Sequence, residues 1–166
     1  MTAATRIAFA GLSCALAGVF AAPASAQTIT HKDLSVDAAV TIATTAMADC
    51  KAKGWPVSVA VVGRAGELIV HMRGDGTGPH TMDNSFRKAY TARTSRQPSG
   101  EMAKRLKADP QLSLVTLPNM VAAQGALPIK IGDEVVGAAG ASGAPGGEKD
   151  EACIQTGLDK VKDQLK

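Results

Sequence analysis

The chain has 166 residues, of which 45% are apolar and 20% charged, and this composition is typical of a globular protein rather than a disordered one. Aromatic residues make up only 3% of the chain, too few to stack bases as single-stranded nucleic-acid binders do. The net charge of +3 gives no reason to expect a nucleic-acid or membrane partner.

The first 26 residues have the three parts of a secretory signal peptide. Arg6 supplies the positive start, residues 7–19 form an apolar stretch, and residues 24–26 form a small-residue cleavage site before Gln27. The apolar stretch is short for a transmembrane anchor, and Pro23 fits cleavage better. We therefore expect a mature protein of about 140 residues, one domain in size, that has no membrane anchor and is periplasmic or secreted.

The mature chain is predicted to begin with a polar lead-in at residues 27–34, and the domain covers residues 35–166. Ser35 is a suitable N-cap for a first helix, which Gly54 ends. The apolar residues of this helix recur at helical spacing. They are Val36, Ala39, Val40, Ala43, Met47 and Cys50.

Two β-hairpins are predicted farther along the chain. The first pairs residues 56–62 with residues 67–72 around a glycine-containing turn. The second pairs residues 127–131 with residues 134–141 around the two-residue turn Gly132-Asp133.

Helices are predicted around these hairpins. Thr81 caps a second helix that ends near residue 96, a shorter helix covers 99–107, and a last helix covers 148–165. Residues 111–126 are expected to form a loop with one short strand near Met120. This order predicts an α/β protein with a mainly antiparallel sheet and helices packed on it.

The chain contains no P-loop, HExxH, GxSxG or GxGxxG signature, so the sequence gives no direct indication of an enzyme. Two glycine-rich loops, at 73–80 and 143–147, each precede a helix, and helix N-termini suit carboxylates or phosphates. Gly146 and Gly147 would let such a ligand approach the backbone closely. Alternatively, these glycines only form turns, and the acidic residues at 148–151 already face the helix dipole.

Three histidines are available as ligands or acid–base groups. His31 lies in the lead-in and is expected to be solvated, and His71 lies at the end of a strand. His80, between a glycine-rich loop and a helix, is the best candidate for a metal ligand. The alternative is that His80 only makes a local hydrogen bond.

The segment 86–107 is basic and contains Glu101 as its only acid. It could hold an anionic ligand, or it could be a solvated helical face. We expect Arg87 and Arg93 near the His80 loop, where arginine can bind carboxylates bidentately. The basic residues of the segment are Arg87, Lys88, Arg93, Arg96, Lys104, Arg105 and Lys107.

Two cysteines remain after the signal, Cys50 and Cys153, and they form neither a CxxC motif nor a zinc set. Cys50 lies on the apolar stripe of the first helix, and Cys153 lies in the first turns of the last. If these helices pack antiparallel on one sheet face, both cysteines lie at the same end of the domain. We predict a disulfide, with Cα atoms closer than about 7 Å. The alternative is two separate buried thiols.

Several motifs in combination resemble the GlcG/HbpS-like family, over essentially all of residues 35–166. The resemblance implies a profilin-like α/β fold with a five-stranded, mainly antiparallel sheet and assembly into homo-oligomers. Members include secreted haem-binding proteins and a protein of a glycolate operon. The motifs are Val59-Ala60-Val61-Val62, Arg73-Gly74-Asp75-Gly76, Gly78-Pro79-His80-Thr81, Arg87-Lys88-Ala89-Tyr90-Thr91-Ala92, Leu127-Pro128-Ile129, Gly140-Ala141-Ser142-Gly143-Ala144-Pro145-Gly146-Gly147 and Asp150-Glu151.

The resemblance suggests an exported haem or tetrapyrrole binder that serves haem uptake, buffering or sensing. His80 is then the favoured iron ligand, with His71 and Met72 as substitutes, and Arg87 or Arg93 would meet the propionates. One alternative is a binder or accessory enzyme for a small organic acid such as glycolate, and another is a structural or interaction subunit without a ligand. The candidate ligand-binding residues are His80, Thr81, Arg87, Arg93, Gly146 and Gly147.

Overall fold

A computed structural model describes residues 27–165, so the predicted signal peptide lies outside the described residues. The chain divides into residues 1–30, of which 27–30 are described and have no regular structure, and residues 31–166. The second unit holds all the secondary structure described below. Its elements are α1 (Val36–Ala52), β1 (Ser58–Val62), β2 (Leu68–Met72), α2 (His80–Ser95), α3 (Ser99–Ala108), a 3₁₀ helix (Ser113–Thr116), β3 (Ala126–Ile131), β4 (Glu134–Ser142), α4 (Gly147–Val161) and a second 3₁₀ helix (Lys162–Gln164).

The strands form one antiparallel sheet in the order β2-β1-β4-β3, which confirms both predicted hairpins. The central pair runs from Ser58 opposite Ser142 to Val62 opposite Ala138. Within the described residues the sheet has four strands, so the expected count of five was wrong. The chain is therefore a mixed α/β protein with helices on both faces of this sheet.

The missing strand is the one expected near Met120, which is buried but lies in a loop. Side chains of α2 satisfy the backbone here. The Met120 carbonyl accepts a hydrogen bond from Arg87 Nη2 at 2.7 Å, and the Val121 N–H donates to Thr91 Oγ1 at 2.9 Å. Because these polar groups are already paired, the segment needs no neighbouring strand to bury Met120.

Helix α1 begins where predicted, with the Ser35 hydroxyl accepting the Ala38 N–H at 3.2 Å. Its buried face differs from the predicted stripe. Val36 is 60% exposed and Val40 is 40% exposed, so both lie outside the core. The buried residues of the helix are Ala38, Ala39, Ile42, Ala43, Ala46 and Cys50.

Helices α1 and α4 pack against each other on one face of the sheet. They come close together at Gly157, where a Cβ atom would lie 2.5 Å from the Ile42 carbonyl oxygen. Cys50 at the end of α1 and Cys153 near the start of α4 form a disulfide with a Cα–Cα distance of 5.6 Å. The predicted disulfide and the antiparallel helix packing behind it are confirmed.

Helix α2 covers the opposite face through a cluster made mostly of alanine. Gly140 lies under this helix, where a Cβ would come within 2.6 Å of the Ser85 carbonyl oxygen and 2.8 Å of the Ala89 nitrogen. The helix begins at His80, one residue before the predicted cap. Thr81 therefore lies inside the first turn, and its hydroxyl donates to the Gly78 carbonyl at 2.8 Å.

No helix among residues 27–165 is long and apolar enough to cross a membrane.

Candidate functional site

A cavity of about 430 Å³ lies where the start of α2, the end of β4 and the start of α4 meet. Most of its lining side chains are polar, and we call it the polar cavity. Both glycine-rich loops contribute to its wall, as their positions before α2 and α4 require. Its lining residues are Pro56, Gly76, Thr77, Gly78, His80, Thr81, Asn84, Lys88, Ala123, Gln124, Ser142, Gly143, Ala144, Gly146, Gly147 and Asp150.

Hydroxyl and amide groups form a hydrogen-bonded cluster at the wall of the polar cavity. Ser58 Oγ shares a hydrogen bond with Thr81 Oγ1 at 2.8 Å and contacts Thr77 Oγ1 at 3.3 Å. Asn84 Nδ2 donates to Ser142 Oγ at 3.0 Å. These groups hold one another in place, so a polar ligand would meet donors and acceptors of fixed orientation.

A buried ion pair also lines the polar cavity. Lys88 Nζ lies 2.7 Å from Asp150 Oδ2, and the two side chains are only 5% and 3% exposed. Lys88 also donates to the Ala141 carbonyl at 3.1 Å, and Asp150 Oδ1 accepts the Ala144 N–H at 3.0 Å. Burial raises the pKa of Asp150, and the attraction of Lys88 opposes this shift. The pair joins α2 to α4 and carries no net charge.

His80 differs from the other two histidines because its imidazole makes no hydrogen bond with any described residue. Its ring lies against Gly78, where a Cβ would be 2.9 Å from Cε1. In contrast, His71 Nε2 lies 2.9 Å from the Met82 carbonyl oxygen, and His31 lies 3.2 Å from Asp33. Only the His80 ring is therefore exposed and free to bind a ligand at the polar cavity.

Gly146 and Gly147 both line the polar cavity, as does Thr81. The start of α4, however, already faces two carboxylates of the chain. The Glu148 carboxylate lies against Gly146, and Asp150 accepts a hydrogen bond from the loop that precedes the helix. This arrangement matches the alternative considered above, in which the acidic residues compensate the helix dipole.

Neither Arg87 nor Arg93 lines the polar cavity, and the expectation that Arg93 lies beside the His80 loop was wrong. Arg87 binds the Met120 carbonyl and lies 3.6 Å from Asp83. Arg93 lies thirteen residues after His80 on the same helix, which places it about 20 Å away at 1.5 Å per residue.

The surroundings of Arg93 are those of a packed arginine at the far end of α2. Its Nε atom is buried and has no hydrogen-bond partner among the described residues. Burial lowers the pKa of Arg93, and the positive charges of Arg96 and Arg64 lower it further.

Sequence reasoning missed several residues of the polar cavity. Lys88 was grouped with a basic patch, although the structure buries it against Asp150. The partners lie 62 residues apart, so no local pattern connects them. The only signal was that both lie inside motifs carrying the family resemblance. The other lining residues missed are Thr77, Asn84 and Ser142, together with Ser58, which hydrogen-bonds to Thr81 behind the lining.

Comparison with protein-family models gives a match over residues 34–159 to the family described as haem-degrading protein HbpS-like. The chain belongs to this HbpS-like family. No curated protein matches it significantly.

Solved structures support the same assignment. The crystal structure of HbpS is 34% identical, with a TM-score of 0.78, and the match covers 84% of this chain and 98% of that one. A double mutant of Streptomyces reticuli HbpS is 35% identical, with a TM-score of 0.77, and the match covers 85% of this chain and 97% of that one. A complex of PduOC with haem shares the fold at 20% identity, with a TM-score of 0.71 and coverage of 77% and 94%.

Proposed function

We propose that this protein is an exported haem-binding protein of the HbpS-like family. The observation that carries the proposal is the free imidazole of His80 at the mouth of the polar cavity. A neutral imidazole is a common axial ligand of haem iron. The family description names haem, and a protein of the same fold was solved with haem bound.

The residues of the polar cavity fit such a ligand in part. His80 would supply the iron ligand. Because Arg87 and Arg93 lie elsewhere, the propionates would meet polar groups of the cavity wall, such as Asn84 and Thr77. Bound haem would bring redox and oxygen chemistry, and this chain would hold it, orient it and limit its contact with water.

The test is a titration of haemin into the purified protein and the His80→Ala variant. We expect a Soret band that shifts in the variant, with affinity reduced at least about tenfold if an iron ligand is lost. His31→Ala is the matched control, because His31 is exposed and distant in sequence. An identical spectrum and affinity in His80→Ala would remove His80 from this role.

Export and assembly belong to the same proposal. The signal-peptide features of residues 1–26 support export, and N-terminal sequencing of periplasmic material should start at Gln27. Material that retains Met1 would contradict export. The family resemblance supports a homo-oligomer, and light scattering would measure its mass.

A second candidate function is the binding of a small organic acid such as glycolate. The polar lining favours it, because hydroxyl and amide groups suit a small polar ligand better than an apolar macrocycle. Thermal-shift measurements with glycolate and lactate should raise the melting temperature if such an acid binds, and Asn84→Leu should weaken the effect. Failure with both haemin and organic acids would favour a structural or interaction subunit.

A further inference from the structure

A second cavity, of about 370 Å³, lies beside the end of α1. The loop at residues 73–78 separates it from the polar cavity, since its first residues line one cavity and its last residues line the other. We call this second space the apolar cavity. Its lining residues are Met47, Ala48, Lys51, Gly54, Pro56, Val57, Arg73, Gly74 and Asp75.

The lining combines an apolar wall with a positive rim. Met47 and Val57 both belong to or pack against the main core and line the cavity, where Met47 is partly exposed and Val57 is buried. Two cations, Lys51 and Arg73, face a single acid, Asp75. The lining therefore carries a net positive charge next to apolar surface.

Both cations have N–H donors that no residue within 27–165 accepts. The Lys51 ammonium makes no hydrogen bond or ion pair with any residue in the described part of the chain. Arg73 Nη2 donates to the Thr77 carbonyl at 2.9 Å, which orients the guanidinium while its other N–H groups stay unpaired within residues 27–165. An oriented guanidinium binds a carboxylate well because it offers two parallel donors.

Two lysines contact the neighbouring tryptophan. The ammonium groups of Lys53 and Lys149 lie 5.9 Å and 5.1 Å from the ring centre of Trp55, and Lys53 also pairs with Asp49 at 2.6 Å. Trp55 is bonded directly to Gly54 and Pro56, which both line the cavity. It is also the only tryptophan in the sequence, so the protein's tryptophan fluorescence comes from a residue next to this cavity.

We propose that the apolar cavity binds an alkyl carboxylate. The alkyl chain packs against Met47 and Val57, and the carboxylate lies between Lys51 and Arg73. An alkyl chain with one negative head group complements this lining, whereas a neutral apolar molecule would give Lys51 and Arg73 no anionic partner. The site does not involve His80 and does not depend on the proposed haem function.

The test is a calorimetric titration of the protein with decanoate below the concentration at which it forms micelles, followed in parallel by Trp55 fluorescence. We expect saturable binding by both readouts. Decanol should bind at least about tenfold more weakly, because it lacks the charged acceptor. Equal binding of decanol and decanoate, or the absence of saturable binding, would overturn the proposal.

Variants locate the site. Arg73→Gln should weaken decanoate binding about tenfold, Arg73→Lys should have a smaller effect, and Lys51→Gln should cost about threefold because Lys51 is exposed. Ala48→Leu should block the cavity. Thr44→Leu, one turn earlier on the exposed surface of α1, is its matched control. Equal decanoate affinities in the two leucine variants would contradict the assignment.

The His80→Ala variant separates this proposal from the haem proposal. It should bind decanoate with unchanged affinity while its haem binding weakens. Loss of decanoate binding in His80→Ala would overturn the assignment to a separate site. Failure of decanoate binding alone leaves the haem proposal intact.

Discussion

The two faces of the sheet have different packing chemistry. The face under α1 and α4 is filled by branched side chains such as Ile42, Val61 and Ile154, and it carries the disulfide. The face under α2 is filled by five alanines and one valine, and it lies beside the buried ion pair and the hydroxyl cluster.

This difference indicates that one face of the sheet mainly stabilises the domain, whereas the other positions polar groups for a ligand. Large apolar side chains and a covalent bond stabilise one face. Small side chains on the other face let α2 lie close to the sheet. The polar cavity lies beside the first turn of α2. Polar groups there are buried but paired, so they can be positioned for a ligand without large cost to folding.

The largest expected effect comes from breaking the covalent bond on the α1–α4 face. A double Cys50→Ser/Cys153→Ser variant should lose up to about 4 to 5 kcal/mol of unfolding free energy, because the disulfide closes a long loop in the unfolded chain. Urea unfolding measures the loss. Reduced wild-type protein is the control and should resemble the variant. A loss below about 1 kcal/mol would show that the disulfide contributes little to this face.

The next largest effect should arise on the α2 face. Lys88→Met leaves the Asp150 carboxylate buried without its partner and should cost about 3–5 kcal/mol. The double variant Lys88→Met/Asp150→Leu should recover much of that stability, because it removes both charges. If the single and double variants unfold at the same urea concentration, the two charges are not coupled.

A smaller loss of stability is expected when either of the two glycines at close helix contacts, Gly140 under α2 or Gly157 against α1, is replaced by alanine. Gly140→Ala should cost about 1–3 kcal/mol, because the new methyl group meets the backbone of α2. Gly157→Ala meets the Ile42 carbonyl in the same way, but alanine gains about 1 kcal/mol of helix propensity in α4. The net loss at Gly157 should therefore be smaller. The reverse order in urea unfolding would contradict this comparison.

The smallest expected effect is a pH dependence from Asp150. Because burial raises its pKa in the folded state, the folded protein binds this proton more tightly than the unfolded chain. The stability contributed by this group is complete below its unfolded pKa and is lost as pH rises through the folded pKa. The unfolding free energy of the wild type minus that of Asp150→Asn should decrease as pH rises from 4 to 7, because only the wild type loses this proton. An increase of that quantity with pH would contradict the prediction.

The parts of the fold that were predicted correctly depend on local signals. The boundaries of α1 and of the second hairpin are marked by local conformational preferences, which tertiary contacts did not override. Ser35 and Gly54 flank α1, and Gly132 lies in the turn between β3 and β4. The disulfide followed from helical periodicity around Cys50 and Cys153. The loop at Met120 has no such periodicity, and its backbone is satisfied by side chains of α2 that are distant in sequence.

The candidate site was predicted only in part. His80, Thr81, Gly146 and Gly147 do line one cavity, because each lies at a loop–helix junction that the sequence marks with glycine or proline. The ion pair could not be predicted, because it depends on how α2 and α4 meet. The misplacement of Arg93 could have been avoided, since the rise of the helix alone separates it from His80.

The disulfide also determines what a protease can release. Cys50 and Cys153 are 103 positions apart in sequence, and the loop between them contains the whole sheet together with α2 and α3. A single cleavage in the exposed stretch around Asp109 and Gln111 would leave both fragments joined covalently through α1 and α4. Nicked protein would therefore migrate as one species until the bond is reduced, and its two fragments would remain tethered for refolding.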